Sequence, residues 1–135
     1  MLGRHARFTI SAKVALYQWD GQKVLVMKYP KAYGLPGGHL EKNEVPDEAI
    51  LRELREELGL TIDVPRQTGF FRRNGRRGSI ILGYTATLPK DAVIAPTHYE
   101  KEHGEWVSRE DVRTLHMSEG YRKLILDNWP VANKS

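Results

Sequence analysis

The sequence predicts a mixed α/β fold around one sheet, in a single domain that spans residues 1–135. Two observations favour this fold class. Runs rich in β-branched and aromatic residues alternate along the chain with stretches in which apolar residues recur at helical spacing. The length of 135 residues also suits one domain, which buries roughly two thirds of the surface of its unfolded chain. Interleaved strands and helices of this kind pack in layers.

Composition restricts the chemistry before any motif is considered. The chain has no cysteine, which excludes a disulfide framework, a thiolate nucleophile and a cysteine-based zinc site. Its formal net charge of +4 favours anionic ligands, and polyphosphates and nucleic acids satisfy this equally well. No apolar run has the length of a signal-peptide core or a membrane span. We therefore expect a soluble, cytoplasmic protein with no membrane partner.

The first part of the chain predicts a strand pair. Residues 8–19 alternate loosely between apolar and polar side chains, and residues 23–28 are rich in β-formers. An Asp-Gly turn separates the two runs. The next segments are predicted as a connector (29–33), an extended stretch along the sheet (34–40) and a loop that ends near Pro46.

A helix is predicted from Pro46 to a stop at Gly59. Proline suits the first helical position, and glycine readily adopts the left-handed conformation that ends a helix. At about 100° per residue, one arc of this helix is apolar and a neighbouring arc is acidic. The apolar arc consists of Ile50, Leu51, Leu54 and Leu58, and the acidic arc consists of Glu53, Glu56 and Glu57.

The remainder of the chain predicts short strands and two further helices. The predicted strands cover residues 61–64, 68–73, 78–88 and 105–107, with an Asn74-Gly75 hairpin turn and a loop over residues 89–97. Ser108 and Asp111 form a capping pattern for a short helix that ends near Leu115. The final helix has predicted core positions at helical spacing: Tyr121, Leu124, Ile125 and Trp129.

The acidic arc and the glycines before the helix together predict a cation site. Like charges at i, i+3 and i+4 repel by about a few tenths of a kcal/mol per pair, so fold stability gives no reason to gather Glu53, Glu56 and Glu57. A bound cation would turn this repulsion into a net attraction to the ion, and carboxylate oxygens suit Mg²⁺ or Mn²⁺. The Pro36-Gly37-Gly38 turn permits close approach of the backbone to a ligand. The alternative is a solvated acidic helix face.

The same stretch resembles the signature of the Nudix hydrolase superfamily, G-x5-E-x7-R-E-U-x-E-E-x-G-U, where U is aliphatic. All specified positions match without a gap: Gly38, Glu44, Arg52, Glu53, Leu54, Glu56, Glu57, Gly59 and Leu60. The resemblance implies an α/β/α sandwich around a central mixed sheet. It also implies an enzyme in which water attacks one phosphorus of a nucleoside diphosphate linked to another group.

The resemblance assigns the metal ligands and the reaction chemistry. Glu56 and Glu57 match the principal ligands of the family, and Glu53 is a further ligand or a base. Gly38 would contribute its backbone carbonyl. The implied cofactor is Mg²⁺, for which Mn²⁺ can substitute, and such a site neutralises a diphosphate and orients an attacking water.

Other residues of the motif are expected to support these ligands. Arg52 lies one helical turn before Glu56, so an ion pair can hold that carboxylate in position. Glu44 is expected to bond backbone amides or to reach the metal through water, and Gly37 to have a structural role. Asn43 stands where the family commonly has glycine, but asparagine tolerates left-handed dihedral angles better than most residues.

The motif does not identify the general base. In several relatives a further acid comes from a loop before a tryptophan-containing strand, and here the residues before Trp106 include Glu100 and Glu102. We predict Glu100 as the first candidate and Glu102 as the second, and a solvated charged loop is the alternative for each. Weak candidates for substrate binding are His39, Arg72 and Glu102.

Substrate preference also lies outside the motif. We expect a small nucleotide, either a nucleoside triphosphate, oxidised or not, or a nucleotide conjugate. The runner-up is an RNA 5′-pyrophosphohydrolase, which would suit a basic hairpin tip, although a solvated basic turn is the simpler interpretation. That tip contains Arg72, Arg73, Arg76 and Arg77. A non-catalytic nucleotide- or nucleic-acid-binding module is less favoured, since such modules tend to lose motif acids. Either a monomer or a homodimer is expected.

Overall fold

The computed structural model describes residues 7–73, 78–94 and 103–131, and in these ranges it contains seven strands and three helices. The strands are β1 (Thr9–Tyr17), β2 (Lys23–Lys28), β3 (Tyr33–Gly34), β4 (Gly37–His39), β5 (Arg66–Arg73), β6 (Ser79–Thr87) and β7 (His103–Ser108). The helices are α1 (Pro46–Leu58), α2 (Arg109–Val112) and α3 (Glu119–Asp127). The longest of these helices has 13 residues, and no described helix has the length and hydropathy that a membrane span requires.

The seven strands form one mixed sheet in which β1 is central. β1 pairs with β6 in parallel over its whole length, from Thr9 opposite Ser79 to Tyr17 opposite Thr87. On its other edge β1 pairs antiparallel with β2 and β4, and β5 pairs antiparallel with β6 at the edge of the sheet. β3 and β7 both pair antiparallel with β2. The predicted mixed sheet is therefore confirmed.

Hydrophobic clusters cover both faces of the sheet, because successive strand residues point to opposite sides. One cluster joins α1 to the even-numbered positions of β1, with Val14 and Leu16 fully buried against Ile50 and Leu54. The second cluster joins the odd-numbered positions of β1 to α3, and its members include Ala15, Tyr17, Tyr121, Leu124 and Ile125. Helices on both faces of a mixed sheet make the α/β/α sandwich that the family resemblance implies.

Helix α1 begins and ends where the sequence predicts. Pro46 occupies the first turn, and Val45 precedes it in an extended conformation, with its N–H donating to the Glu48 carboxylate at 3.2 Å. Gly59 ends the helix with φ of 59°. In the preceding loop Asn43 has φ of 65°, so the asparagine adopts the predicted left-handed conformation. Local sequence signals are sufficient to define this helix.

Two predicted elements differ from the structure, and two others fall partly outside the described residues. No strand covers residues 61–64, because Pro65 removes a backbone donor and restricts the residue before it, and β5 begins only at Arg66. The short helix α2 ends at Val112 and is followed by turns, so it does not reach Leu115. The Asn74-Gly75 turn and residues 95–97 lie outside the described residues, but β5 and β6 pair antiparallel as a hairpin requires.

Trp129 also differs from its prediction, since α3 ends at Asp127. Its indole N–H donates to the Gly21 carbonyl at 2.8 Å, and its ring packs edge-on against Tyr17 with centroids 5.2 Å apart. Trp129 therefore closes the end of the α3 cluster from beyond the helix. The other predicted core residues of α3, Tyr121, Leu124 and Ile125, are buried as expected.

Candidate active site

Arg52 on α1 is bound tightly by Glu44, in the loop before the helix. Arg52 Nε donates to one Glu44 carboxylate oxygen at 2.7 Å and Nη2 donates to the other at 2.9 Å. This bidentate pair is largely shielded, with side chains that are 15% and 12% exposed. The hydrogen bonds from Arg52 hold the pKa of Glu44 at about 2, well below its usual range, and the pKa of Arg52 is raised in turn. Glu44 also accepts from the Glu41 amide at 2.9 Å, in line with the amide bonding predicted for it.

The same guanidinium reaches two carboxylates of the acidic arc. Arg52 Nη1 donates to Glu53 Oε1 at 3.0 Å and to Glu56 Oε2 at 3.2 Å. The contact between Arg52 and Glu56 that the helical spacing predicts is therefore present. Arg52 Nη2 also donates to the His39 carbonyl at 3.1 Å, so one side chain connects the helix to β4.

Glu57 is the most buried acid in the described part of the chain, with 6% of its surface exposed. Its Oε1 accepts a hydrogen bond from the Gly37 amide at 2.9 Å, and its Oε2 has no hydrogen-bond partner among the described residues. The pKa of Glu57 is raised to about 8, chiefly by burial and in part by the neighbouring Glu53, against the opposing effects of the Gly37 N–H and Lys13. A buried carboxylate with an unsatisfied oxygen is costly unless a cation or another donor satisfies it.

The Gly37-Gly38 turn lies in contact with these carboxylates. A Cβ atom on Gly37 would lie 2.0 Å from the Ala12 carbonyl oxygen, and φ of Gly37 is 128°, which favours glycine. A Cβ atom on Gly38 would lie 2.5 Å from Glu53 Oε1. The close backbone approach predicted from the sequence is therefore present, and its immediate neighbour is the acidic arc.

Within the described residues, no three acidic or histidine side chains are arranged as a ready-made metal site. The hydrogen bonds above explain this, since Arg52 engages oxygens of Glu53 and Glu56 while Gly37 engages Glu57. The donor set nevertheless fits a hard divalent cation, because it consists of carboxylate oxygens beside a backbone turn. The unpartnered Glu57 Oε2 supplies a free ligand atom at its centre.

A cleft of about 840 Å³ opens in front of these residues. We call the part lined by Glu53, Glu56 and Glu57 its acidic end. A second group of lining residues forms its aromatic end, where Arg73 lies over the Tyr121 ring and both Tyr29 and Tyr121 lie close to Gly34. Lys13 also lines the cleft, and its Nζ donates to the carbonyls of Gly37 at 3.1 Å and Leu35 at 3.3 Å. The cleft lining thus combines a carboxylate group with an aromatic group.

The residues predicted outside the motif occupy different places. His39 lines the cleft, and its Nδ1 lies 2.9 Å from the Ser11 hydroxyl. Arg72 lies over the Phe8 ring, 5.3 Å from its centroid, and is outside the cleft lining. Arg73, the next residue, lines the cleft instead. Strand alternation explains the difference, because Arg73 shares a face with the partly buried Phe71.

The acids proposed as general base, Glu100 and Glu102, lie outside the described residues. The sequence interpretation also passed over several cleft residues, namely Lys13, Tyr29 and Tyr121. Tyr121 was assigned to the core alone. It is 4% exposed, and it also lines the cleft.

Comparison with known proteins assigns this arrangement to a family. The family model of the NUDIX domain matches residues 7–127, which include both the acidic helix and the sheet beneath the cleft. The chain belongs to the Nudix family. Its relatives identify it as a Nudix pyrophosphohydrolase, and enzymes of this class act on small nucleotides and generally use a divalent metal.

Several Nudix relatives align with most of the chain. A MutT-like protein of Streptomyces ambofaciens is 28% identical over 120 residues, which cover 88% of this chain and 75% of the relative. Nucleoside triphosphatase NudI of Enterobacter sp. (strain 638) is 30% identical over 104 residues, which cover 70% of this chain and 74% of the relative. The solved MutT protein from Bacillus halodurans superposes with a TM-score of 0.73 at 21% identity and covers 92% of this chain and 86% of its own. This structural likeness confirms the fold.

Proposed function

We propose that this Nudix enzyme hydrolyses a phosphoanhydride bond of a small nucleotide in a Mg²⁺-dependent reaction. Nucleoside triphosphates, oxidised or not, are the first substrate class, and nucleotide conjugates the second. The observation that carries the proposal is the position of Glu57, buried at the acidic end of the cleft with Oε2 unpartnered among the described residues. Such a carboxylate opposes folding by itself and becomes favourable when it binds a cation.

Glu53, Glu56 and Glu57 would hold the metal together with the Gly38 carbonyl. Mg²⁺ keeps several waters and prefers phosphate and carboxylate oxygens, and Mn²⁺ can replace it. When bound, the ion supplies neutralisation of the diphosphate and a more acidic water for attack. Glu57 accepts from the Gly37 amide, Glu53 lies against Gly38, and Arg52 joins Glu53 to Glu56, which supports this assignment.

Other residues would support the ligands and the substrate. Arg52 orients Glu53 and Glu56 through Nη1, and Glu44 holds Arg52 in position through two short hydrogen bonds. Lys13 adds positive charge at the cleft beside Gly37, where a polyphosphate would lie. The general base stays a prediction, with Glu100 before Glu102.

The dimensions of the cleft support a small nucleotide. Its volume of about 840 Å³ is in the range of small-molecule sites, roughly 300–1,000 Å³. The similar protein of Enterobacter is named a nucleoside triphosphatase, which supports the same substrate class. The single-domain organisation, the cytoplasmic location and the choice between monomer and homodimer stay predictions.

A screen of nucleotides with and without Mg²⁺ tests the proposal. Phosphate and pyrophosphate release are measured over nucleoside triphosphates, sugar conjugates, dinucleoside polyphosphates and triphosphorylated RNA. The wild-type protein should be active only with the metal, and Glu57→Gln should lower kcat by roughly 100-fold or more because it removes a central ligand.

Glu110→Gln is the matched control, because the Glu110 side chain is 84% exposed on α2. It should leave activity unchanged, while circular dichroism shows that both variants are folded. Equal turnover by Glu57→Gln and wild-type protein on a confirmed substrate would contradict the proposed metal site.

One surface favours the RNA alternative. Phe70 on β5 is 74% exposed, and on the same strand Arg72 stacks over Phe8. Exposed aromatic rings beside arginines are typical of surfaces that bind single-stranded nucleic acid. In the same screen, much faster turnover of triphosphorylated RNA than of any mononucleotide would assign the protein to that class.

A further inference from the structure

The aromatic end of the cleft presents one guanidinium in a defined position. The Cζ atom of Arg73 lies 5.7 Å from the centroid of the Tyr121 ring. Tyr121 is itself fixed, since it is 4% exposed and packs edge-on against Phe71 with centroids 5.7 Å apart. A guanidinium supported on one face by a buried ring keeps its donors available to a ligand in the cleft.

The strand order separates this guanidinium from the acidic end. Gly38 lies on β4, and Arg73 lies on β5, with β1 and β6 between them. Neighbouring strands are about 4.8 Å apart, so the two backbones are separated by roughly 14 Å across the sheet. Gly38 and Arg73 both line the cleft, so a nucleotide with its phosphates at Gly38 would extend along the cleft towards Arg73. The phosphates and the ribose would occupy the intervening length, which would bring the base to Arg73.

We propose that Arg73 binds the nucleobase and selects a 6-oxopurine, such as guanine or hypoxanthine. The inference rests on the proposed function, because it assumes that the phosphates occupy the acidic end. A guanidinium has only donors, arranged in a planar fork. Guanine and hypoxanthine present two acceptors on one edge, O6 and N7, which match that fork, whereas adenine replaces O6 by an amino donor. Arg73 therefore acts as a specificity-determining residue.

The lining near Arg73 is consistent with a base and less so with a phosphate. Tyr29 and Tyr121 both lie close to Gly34 at this end, and Phe71 packs against Tyr121; none of these residues carries positive charge. Flat apolar rings suit the faces of a base. Lys13 lies closer to the acidic end, beside Gly37, where phosphate charge is expected.

Kinetics on paired nucleotides test the inference. The ratio of kcat/KM for GTP to that for ATP is measured for wild type, Arg73→Ala and Arg73→Gln, with ITP as a probe of the O6/N7 edge. Wild type should prefer GTP and ITP over ATP by roughly 10-fold or more, the discrimination typical of one bidentate contact. Arg73→Ala should abolish most of this preference. Arg73→Gln should shift it towards ATP, because glutamine offers one donor and one acceptor to adenine.

Arg66→Ala is the matched control, since Arg66 begins the same strand but lies outside the cleft lining. It should leave the GTP to ATP ratio unchanged. Calorimetric binding of GMP and AMP without metal gives a second measurement that does not depend on turnover. GMP should bind more tightly than AMP, and Arg73→Ala should remove the difference.

The two measurements separate this inference from the proposed function. Mg²⁺-dependent hydrolysis with a GTP to ATP ratio that Arg73→Ala and Arg73→Gln both leave unchanged would overturn the inference and leave the function intact. Equal losses on GTP and ATP would also overturn it, since they indicate a phosphate contact. Absence of hydrolysis on every nucleotide, combined with GMP binding that needs Arg73, would instead overturn the proposed function and support the inference.

Discussion

At the scale of single residues, two glutamates of the same motif have opposite electrostatic environments. Glu44 is held by a bidentate pair with Arg52, which keeps its pKa at about 2. Burial raises the pKa of Glu57 to about 8. The first carboxylate is stabilised as an anion by the protein itself. The second has the Gly37 amide and the charge of Lys13 to offset its burial but no bidentate partner among the described residues, so it gains most from a cation.

Glu57→Gln should stabilise the metal-free protein at neutral and higher pH. The folded-state pKa of about 8 lies above the ordinary value of 4.5, so ionisation of Glu57 opposes folding. The contribution of Glu57 to stability is therefore fully present below about pH 4.5 and is lost as the pH rises through 8, while the glutamine variant lacks this loss. We expect a difference on the order of 2 kcal/mol at pH 8 and little at pH 5. Urea unfolding in the presence of a chelator measures it, and a variant less stable than wild type at pH 8 would contradict it.

Glu44→Gln should have the opposite dependence on pH. The folded-state pKa of Glu44 lies below its ordinary value, so the pair with Arg52 stabilises the protein above about pH 4.5 and is lost as the pH falls through 2. The variant should lose about 2 kcal/mol at pH 7, and the difference should shrink towards pH 2. Glu41→Gln is the control, because its 3.5 Å contact with Arg52 is made by a side chain that is 65% exposed. A similar loss in both variants would indicate a non-specific charge effect.

At the scale of elements, the glycine turn and helix α1 position each other. The turn donates the Gly37 amide to Glu57, while Glu53 lies against Gly38. From the sheet side, the Tyr84 hydroxyl donates to Asp47 in the first turn of the helix at 2.6 Å. The acidic face is thus held at both ends of the helix, by β6 near its start and by the turn near its end.

Replacement of the two glycines should have different effects. Gly37→Ala should cost about 3 kcal/mol or more, because its Cβ would overlap the rigid Ala12 backbone at a φ that alanine rarely adopts. Gly38→Ala should cost much less stability, since its Cβ would meet the flexible Glu53 carboxylate, which can move aside. We expect Gly38→Ala to stay folded and to lose activity. Urea unfolding and turnover are the measurements, and equal stability of the two variants would contradict this explanation.

At the scale of the whole molecule, the sequence predicted the features that depend on neighbouring residues. Helix α1 was correct at both ends because Pro46 and Gly59 act locally, and the strand pair β1-β2 depends on one short turn. The strand at residues 61–64 was wrong because local β-propensity was followed without the effect of Pro65. Burial of Glu57 could also have been predicted from the sequence. Glu57 follows the core residue Ile50 by seven positions, which is about 20° short of two full helical turns. The two side chains therefore lie on the same side of the helix.

Features that join distant parts of the chain were not predictable in this way. The parallel pairing of β1 with β6 and the approach of Arg73 to Tyr121 depend on tertiary packing, for which no local pattern exists. Arg72 and Arg73 were equivalent members of a basic turn in the sequence. Only the register of β5 against β6 shows which of them reaches the cleft.

The parallel pairing of β1 with β6 also has a consequence for how the chain folds. The first pair in the register, Thr9 and Ser79, is separated by 70 residues. β1, which lies between β2 and β6 in the sheet, cannot complete its hydrogen bonds before β6 is present. During synthesis β1 must therefore wait, with one edge unpaired, until β6 has left the ribosome. Pairings of such high contact order form slowly because a long loop must close first. Nascent chains of this enzyme should be most prone to aggregation in that interval.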